Sequence, residues 1–510
     1  MTELERLQAK LHSGQITRRE FLARVSALGL AAALPGALLS APALAAPTKG
    51  GRIRVGSGHG STTDSIDPAT FENAFTQFSG YGLRNNLTEI SPAGELIPEL
   101  AQSWEASPDA RVWTFTLRKG VEFHNGKSLT ANDIAASINH HRGDDSKSGA
   151  KGVVDPIQNI KTDGDHVVVF ELKEGNADFP YIMSDYHLVA MPADKDGKVD
   201  AMSGIGTGAF ILQSYDPGVR ITMKRNPNYW KEGRGHFDEA EVITIADVAA
   251  RTNALTTGEI DVADRLDIKT LHLLQRNEDI RVEETSGNAH YTFAMRTDTA
   301  PFDNNDVRLA LKYALDREAL LQTILRGHGY LGNDHPIGRA NRYHASELPQ
   351  RNLDPDKAKY HLKQAGLSSL SVELSAADAA FGGAVDAAVL YKEHAAAAGI
   401  EINVVREPND GYWSNVWMKK PWCAVYWGGR PTEDWMFSTA YAAGAAWNDS
   451  FWKHEKFNKL LVAARAELDE AKRREMYVEM QRICSDEGGV VVPLFNNYVF
   501  GMRQNVAHDD

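Results

Sequence analysis

The sequence predicts a mixed α/β protein of two or three domains. Its 510 residues are enough to bury several large cores. Apolar residues make up 43% and charged residues 24%, the balance of an ordinary globular chain. Segments alternating every second residue interleave irregularly with segments of helical period, which suggests mixed lobes rather than one doubly wound sheet.

The elements follow in chain order. Gly51-Arg52-Ile53-Arg54-Val55-Gly56 alternates as an opening strand. Asp64 to Pro68 is a turn, because the residue before proline avoids the helical region. Trp113 to Arg118 is a half-buried strand turned by Lys119-Gly120, and His166 to Leu172 is another. Near Leu129 a helix begins, with Thr130 at the N-cap and Asp133 three residues on. Asp306 to Leu325 reads as one helix with Leu309, Tyr313, Leu320 and Ile324 on its apolar stripe. Asp354-Pro355-Asp356 starts a helix that runs to Gln364 and stops at Gly366. Phe457 to Cys484 is amphipathic and helical, with a break near Asp469.

The N-terminus says where the chain works. Thr17-Arg18-Arg19-Glu20-Phe21-Leu22 is a twin-arginine signal pattern, and an apolar stretch from Val25 to Leu39 follows. That stretch is shorter than the ~20 residues a membrane span needs, and Pro35-Gly36 interrupts it. Ala43-Leu44-Ala45 supplies the small residues of a cleavage site near Ala45/Ala46. No cysteine follows to carry a lipid anchor, so the mature chain is expected free and monomeric in the periplasm, without membrane insertion.

Charge excludes some partners. Residues 1–45 hold five Lys/Arg and three Asp/Glu, leaving 50 basic and 65 acidic residues beyond, a net charge of −15. Nucleic acid and anionic membrane surfaces are poor partners for such a chain. The two cysteines, Cys423 in an apolar run and Cys484 behind a helical pattern, read as buried free thiols, although the periplasm permits a disulfide. Without a Cys-x-x-Cys pair, thiolate metal sites and iron–sulfur clusters lack ligands.

Several blocks in order resemble one family. They are Leu100 to Glu105, Trp113 to Lys127, Gly206-Thr207-Gly208-Ala209-Phe210, Arg225 to Trp230, Pro301 to Arg308, and Asp354 to Gly366. Together with Trp427-Gly428-Gly429-Arg430 they are similar to the peptide/nickel family of extracytoplasmic solute-binding proteins, family 5. Ala209 stands where that family usually has proline. The resemblance implies a two-lobed α/β periplasmic binding protein, type II-like, with an extra inserted domain and the ligand in the interlobe cleft. It implies lobe I from 46–85, 200–289 and 490–510, an insert at 86–199, and lobe II at 290–489. The hinge would lie at Tyr291–Met295 and the C-terminal return, closing like a flytrap. Such a protein is no enzyme and needs no cofactor. It delivers a small peptide or peptide-like anionic solute, opine-like or modified, to an inner-membrane ABC permease complex.

The resemblance also marks a departure. In the peptide-binding members an Asp three residues after the tryptophan pairs with the ligand's α-ammonium; here that position is Arg430. A guanidinium prefers carboxylate or phosphate and repels an ammonium. Arg430 therefore either meets an anionic ligand, with no simple dependence on a free α-ammonium, or is held by Glu433 or Asp434. Asp434 either takes a ligand amine or, like Glu433, caps the following helix. Trp413, Trp417, Trp427, Trp435 and Trp447 crowd this region; Trp427 and Trp447, beside turn-like residues, are the candidates for a ligand wall. Tyr426 and Gly429 flank the same turn, where the glycine lets backbone approach a ligand. Phe71 and Phe75 are candidates from the opposite wall.

Two other motifs were weighed. The 17 histidines show no His-x-x-x-His spacing, and adjacent His140-His141 should face apart on a helix, so no metal site is expected. Gly56-Ser57-Gly58-His59-Gly60 resembles a dinucleotide loop only superficially. A twin-arginine-exported, cofactor-dependent oxidoreductase is the rival class, but nucleotide motif and cysteine ligands are lacking. Replacing both Arg18 and Arg19 by Lys is expected to hold precursor in the cytoplasm. Normal periplasmic levels in a strain lacking the twin-arginine translocase would refute that export route.

Overall fold

Seventeen strands form among the residues that the computed structural model describes, 48–92, 94–409 and 411–508. The twin-arginine pattern, the apolar stretch and the cleavage site lie outside the described residues. Every element below belongs to the unit Gly50–Asp510. β1 (Arg52–Ser57) is followed by β2 (Thr88–Ile90), β3 (Leu96–Pro98), β4 (Ala101–Ala106), β5 (Val112–Leu117), β6 (Ile157–Asp163) and β7 (Val167–Leu172). Then come β8 (Phe210–Asp216), β9 (Arg220–Arg225), β10 (Glu239–Thr244) and β11 (Val262–Ala263). The last six are β12 (Ile280–Met295), β13 (Gly329–Leu331), β14 (Leu370–Ala376), β15 (Ile400–Arg406), β16 (Trp422–Trp427) and β17 (Val490–Arg503).

One 11-stranded sheet runs β15-β14-β16-β12-β17-β11-β1-β10-β9-β8, with β13 joined to β17. Its centre is the antiparallel pair β12 and β17, in register from Ile280↔Arg503 to Ala294↔Val490. The start of β12 and the end of β17 lie with β11 and β1, while His290–Met295 also pairs with β16. Two cores flank the N-terminal half of the sheet, one around Phe75, Ile221 and Val242, the other around Leu255, Leu271 and Val499. The largest core packs the other half against helices through Phe293, Leu311, Tyr391, Trp422 and Tyr477.

A separate four-stranded sheet, β4-β5-β7-β6, has its own core. Phe115, Phe170 and Phe179 meet edge-on or tilted within it at 5.2–6.1 Å. The alternation of Val112–Leu117 and Val167–Leu172 puts every second side chain into that core. The helix Ala131–Asn139 opens with the expected capping box of Thr130 and Asp133.

The helices differ from expectation at one place. Residues 306–325 form two helices, Asn305–Tyr313 and Arg317–Ile324. Asp316 breaks the run by capping the second, its carboxylate accepting from Ala319 N at 3.0 Å. Asp354 caps Pro355–Gln364, and Gly366 closes it at φ +78°. The break at Asp469 separates Glu455–Ala466 from Glu470–Glu487. Both cysteines are buried and free.

Phe293 anchors β12 in the largest core. It is fully buried, with ring centroids 5.4 Å from Tyr391 and 6.3 Å from Phe381. Phe293→Ala is expected to lose about 3–5 kcal/mol of stability, read by denaturant unfolding. A loss below about 1 kcal/mol would show that this core relaxes around the cavity.

Candidate functional site

β16 is apolar and nearly all buried because it lies inside the sheet, between β14 and β12. At its end the chain must turn within three residues. Gly429 makes this possible: a Cβ there would stand 2.4 Å from Asn288 Cβ. Arg430 follows, its carbonyl taking hydrogen bonds from Asn341 Nδ2 at 3.0 Å and Asn288 Nδ2 at 3.4 Å. Thr432 then caps the helix Glu433–Ala440, its side chain accepting from Trp435 N at 3.3 Å.

The Arg430 side chain is half-buried. Its Nη1 donates to the carbonyls of Gly428 at 3.0 Å and Gly429 at 3.3 Å. No carboxylate among the described residues pairs with it. The two acids expected to hold it are committed elsewhere. Glu433 accepts from Tyr343 N at 2.6 Å, and Asp434 receives Arg465 Nε at 3.0 and 3.1 Å. Glu433 is therefore not the helix cap. Burial lowers the Arg430 pKa, opposed by the nearby Tyr186 and Asp185, and the group stays cationic.

A cavity of about 480 Å³ opens over this guanidinium. One wall is Gly429, Arg430, Trp435 and Trp447; facing residues are Tyr81, Ser184, Asp185 and Tyr186. Its walls thus come from segments hundreds of residues apart in sequence. Four aromatic residues, several small or aliphatic ones and the charged Arg430 and Asp185 line it, a mix of apolar surface and few polar anchors that suits a small molecule.

Among the residues singled out from the sequence, the structure brings Gly429, Arg430 and Trp447 to this cavity. It places the other five elsewhere. Trp427 is buried behind Trp447, ring centroids 6.3 Å apart, with Nε1 3.3 Å from Asp449 Oδ2. Tyr426, its neighbour on the strand, points to the opposite side, half exposed against Trp413 at 5.6 Å. Asp434 lines an adjoining cavity of about 550 Å³ with its ion-pair partner Arg465. Phe71 is buried against Gly80, where a Cβ would come within 2.5 Å of its ring. Phe75 is also fully buried. Missed altogether were Asp185, Tyr186 and Tyr81. Ser184-Asp185-Tyr186-His187 carries no motif, only aromatic and charged residues in a loop.

The walls are tied together beside the cavity. Arg473, in the helix Glu470–Glu487, forms a buried ion pair with Asp178 at 2.6 Å. Ala177 N donates to Arg465 O at 2.7 Å. The remaining motifs are absorbed by packing. His140 and His141 do not face apart: the helix ends at Asn139, and their rings meet edge-on at 5.2 Å. His140 pairs with Asp67 at 2.8 Å and His141 with Ser148 at 2.7 Å. The glycine loop after β1 packs on Arg251; a Cβ on Gly58 would lie 2.9 Å from its guanidinium.

Known proteins give this geometry a context. A family described as "Bacterial extracellular solute-binding proteins, family 5 Middle" matches residues 95–449. The dipeptide-binding protein of Escherichia coli K12 is 27% identical over 487 residues, covering 87% of this chain and 89% of the relative. The periplasmic binding protein DppA from Helicobacter pylori, solved with the peptide STSA, has a TM-score of 0.72 at 24% identity, over 89% of this chain and 94% of that one. AgaA from A. tumefaciens, solved with agropinic acid, has a TM-score of 0.71 at 22% identity, over 89% and 94%. These structures share the two-lobed α/β fold. None of the comparisons supports an oxidoreductase. Among the described residues no helix is long and apolar enough to cross a membrane.

The buried acids beside the site make stability depend on pH. Burial pushes the Glu433 carboxyl up to about 7 from its usual 4.5, against the stabilising hydrogen bond from Tyr343 N. The folded state therefore holds a proton that the unfolded state has released. The Glu433 contribution to stability falls as pH rises from about 4.5 to about 7. Glu433→Gln is expected to remove this contribution, leaving that of Asp434, and to gain on the order of 2 kcal/mol over wild type by pH 7. Parallel pH–stability curves for the two proteins would disprove it.

Proposed function

Because the chain belongs to the bacterial extracellular solute-binding proteins, family 5, it is a periplasmic substrate-binding component of an ABC importer, and we propose that its solute is a small peptide or peptide-like molecule held by a carboxylate or phosphate at Arg430. The observation that carries this reading is the half-buried guanidinium in a cavity, with Glu433 and Asp434 both engaged by other groups. A guanidinium so placed recognises planar anions, often through two parallel hydrogen bonds. Relatives whose names or titles include a dipeptide, the peptide STSA and agropinic acid support a peptide-like or acidic solute.

The reading extends to the architecture. Lobe I takes 46–85, 200–289 and 490–510, the insert 86–199, and lobe II 290–489. The separate sheet and core between Leu87 and Ala190 support the insert. β12 and β17 run through both halves of the sheet, which suits a hinge. The protein acts as a monomer, is exported by the twin-arginine route, and releases its ligand unchanged.

Mass spectrometry of ligand carried through purification identifies the solute. Arg430→Ala should then weaken binding of that solute at least tenfold, since losing a buried charge partner costs ~2–5 kcal/mol. The melting temperature of the ligand-free variant reports an intact fold. Wild-type affinity in Arg430→Ala would reduce Arg430 to a structural residue and overturn the anionic assignment.

A further inference from the structure

Arg430 is only one of the charges on its cavity. Across from it lies Asp185, its side chain only 5% exposed. Oδ1 of Asp185 is fully used: His187 Nδ1 donates to it at 2.6 Å and His187 N at 2.9 Å. Oδ2 takes no hydrogen bond from any described residue. A carboxylate gripped by one oxygen and open at the other is a preorganised acceptor. His187 acts as its positioning residue, and its ring, tilted 31° against Tyr186 with centroids 4.1 Å apart, is held further by that contact.

Arg430 and Asp185 attract one another without forming an ion pair. The cavity lining therefore carries one positive and one negative group. A purely anionic ligand would satisfy Arg430 and leave Asp185 Oδ2 without a donor, which is unfavourable. Tyr81, Tyr186, Trp435 and Trp447 line the space between, and their ring faces attract cations. Asp434, the acid that sequence suggested for a ligand amine, is held by Arg465 beside a different cavity.

We propose that Asp185 receives a protonated amine of the ligand while Arg430 holds its carboxylate, so that Asp185 selects for a free amine. This rests on the assignment of Arg430 to a ligand anion. The ammonium would be bound by the wall opposite the one that sequence suggested. A primary or secondary amine meets the requirement; an amide nitrogen does not.

The test uses dialanine, trialanine and their N-acetyl derivatives, with binding read by calorimetry and by melting temperature. Wild type should bind the free amines at least tenfold more tightly than the acetylated forms. Asp185→Asn should abolish that preference and leave the acetylated forms unaffected. Arg430→Ala should weaken both classes alike. The proposal is overturned if wild type shows no preference, if Asp185→Asn keeps it, or if no free-amine probe binds at millimolar concentration. The wild-type comparison stands even if Asp185→Asn does not fold. Should Arg430→Ala change nothing while Asp185→Asn removes the preference, the anion assignment fails and the amine site survives.

Discussion

The pairing of β12 with β17 is the constraint on which the rest depends. These two strands lie at the centre of the 11-stranded sheet, and each neighbour on either side is registered against one of them. The ladder is interrupted between Ser286 and His290. In that interruption Gly287 lies under the Tyr498 ring, and its carbonyl accepts from Tyr330 Oη at 2.8 Å. Asn288 is freed from the ladder there, and it is Asn288 that forces Gly429 and hydrogen-bonds the Arg430 carbonyl. The irregularity thus places the Gly429–Arg430 turn. A β-bulge that bends a strand and re-aims a neighbouring side chain is a common device beside sites.

Most buried guanidinia near the cavity are paired with carboxylates; Arg430 is not, a trait it shares with Arg84 and Arg308, which lie deeper and are held largely by backbone carbonyls. Arg317 and Arg351 share buried Asp334, Arg473 takes Asp178, and Arg465 takes Asp434. A buried charge must be paired or it is strongly unfavourable. Arg430 meets that requirement only in part, through two backbone carbonyls of its own turn. Those carbonyls are neutral acceptors, so an anionic ligand gains what the protein withholds.

Local chemistry was legible in the sequence and distant chemistry was not. The capping box at Thr130–Asp133 and the Asp354–Gly366 helix involve residues a few positions apart, and both were read correctly. The 306–325 helix was read as continuous because its stripe persists across Asp316; the capping carboxylate was the missed signal. Arg430 stood out against a family pattern at one position. The tryptophans could not be sorted in this way. Trp427 is the last residue of a central strand and turns inward, whereas Trp447 lies beyond the following helix and is half exposed on the cavity. Asp185 and Tyr186 meet Arg430 only through the fold, since about 245 residues separate them.

The position of the two poles bears on how binding would drive closure. A ligand shifts a conformational equilibrium only by its difference in affinity for the two states. A solute touching the Arg430 wall alone would bind similarly whether the opposite wall is near or far. One that also engages Asp185 would gain its second contact only when the walls approach. Asp178 and Arg473 already form a buried ion pair beside the cavity without ligand, and such a pair would favour the approach that a ligand's second charge completes. On this argument, the residue on the far wall matters more for coupling to transport than its share of affinity suggests.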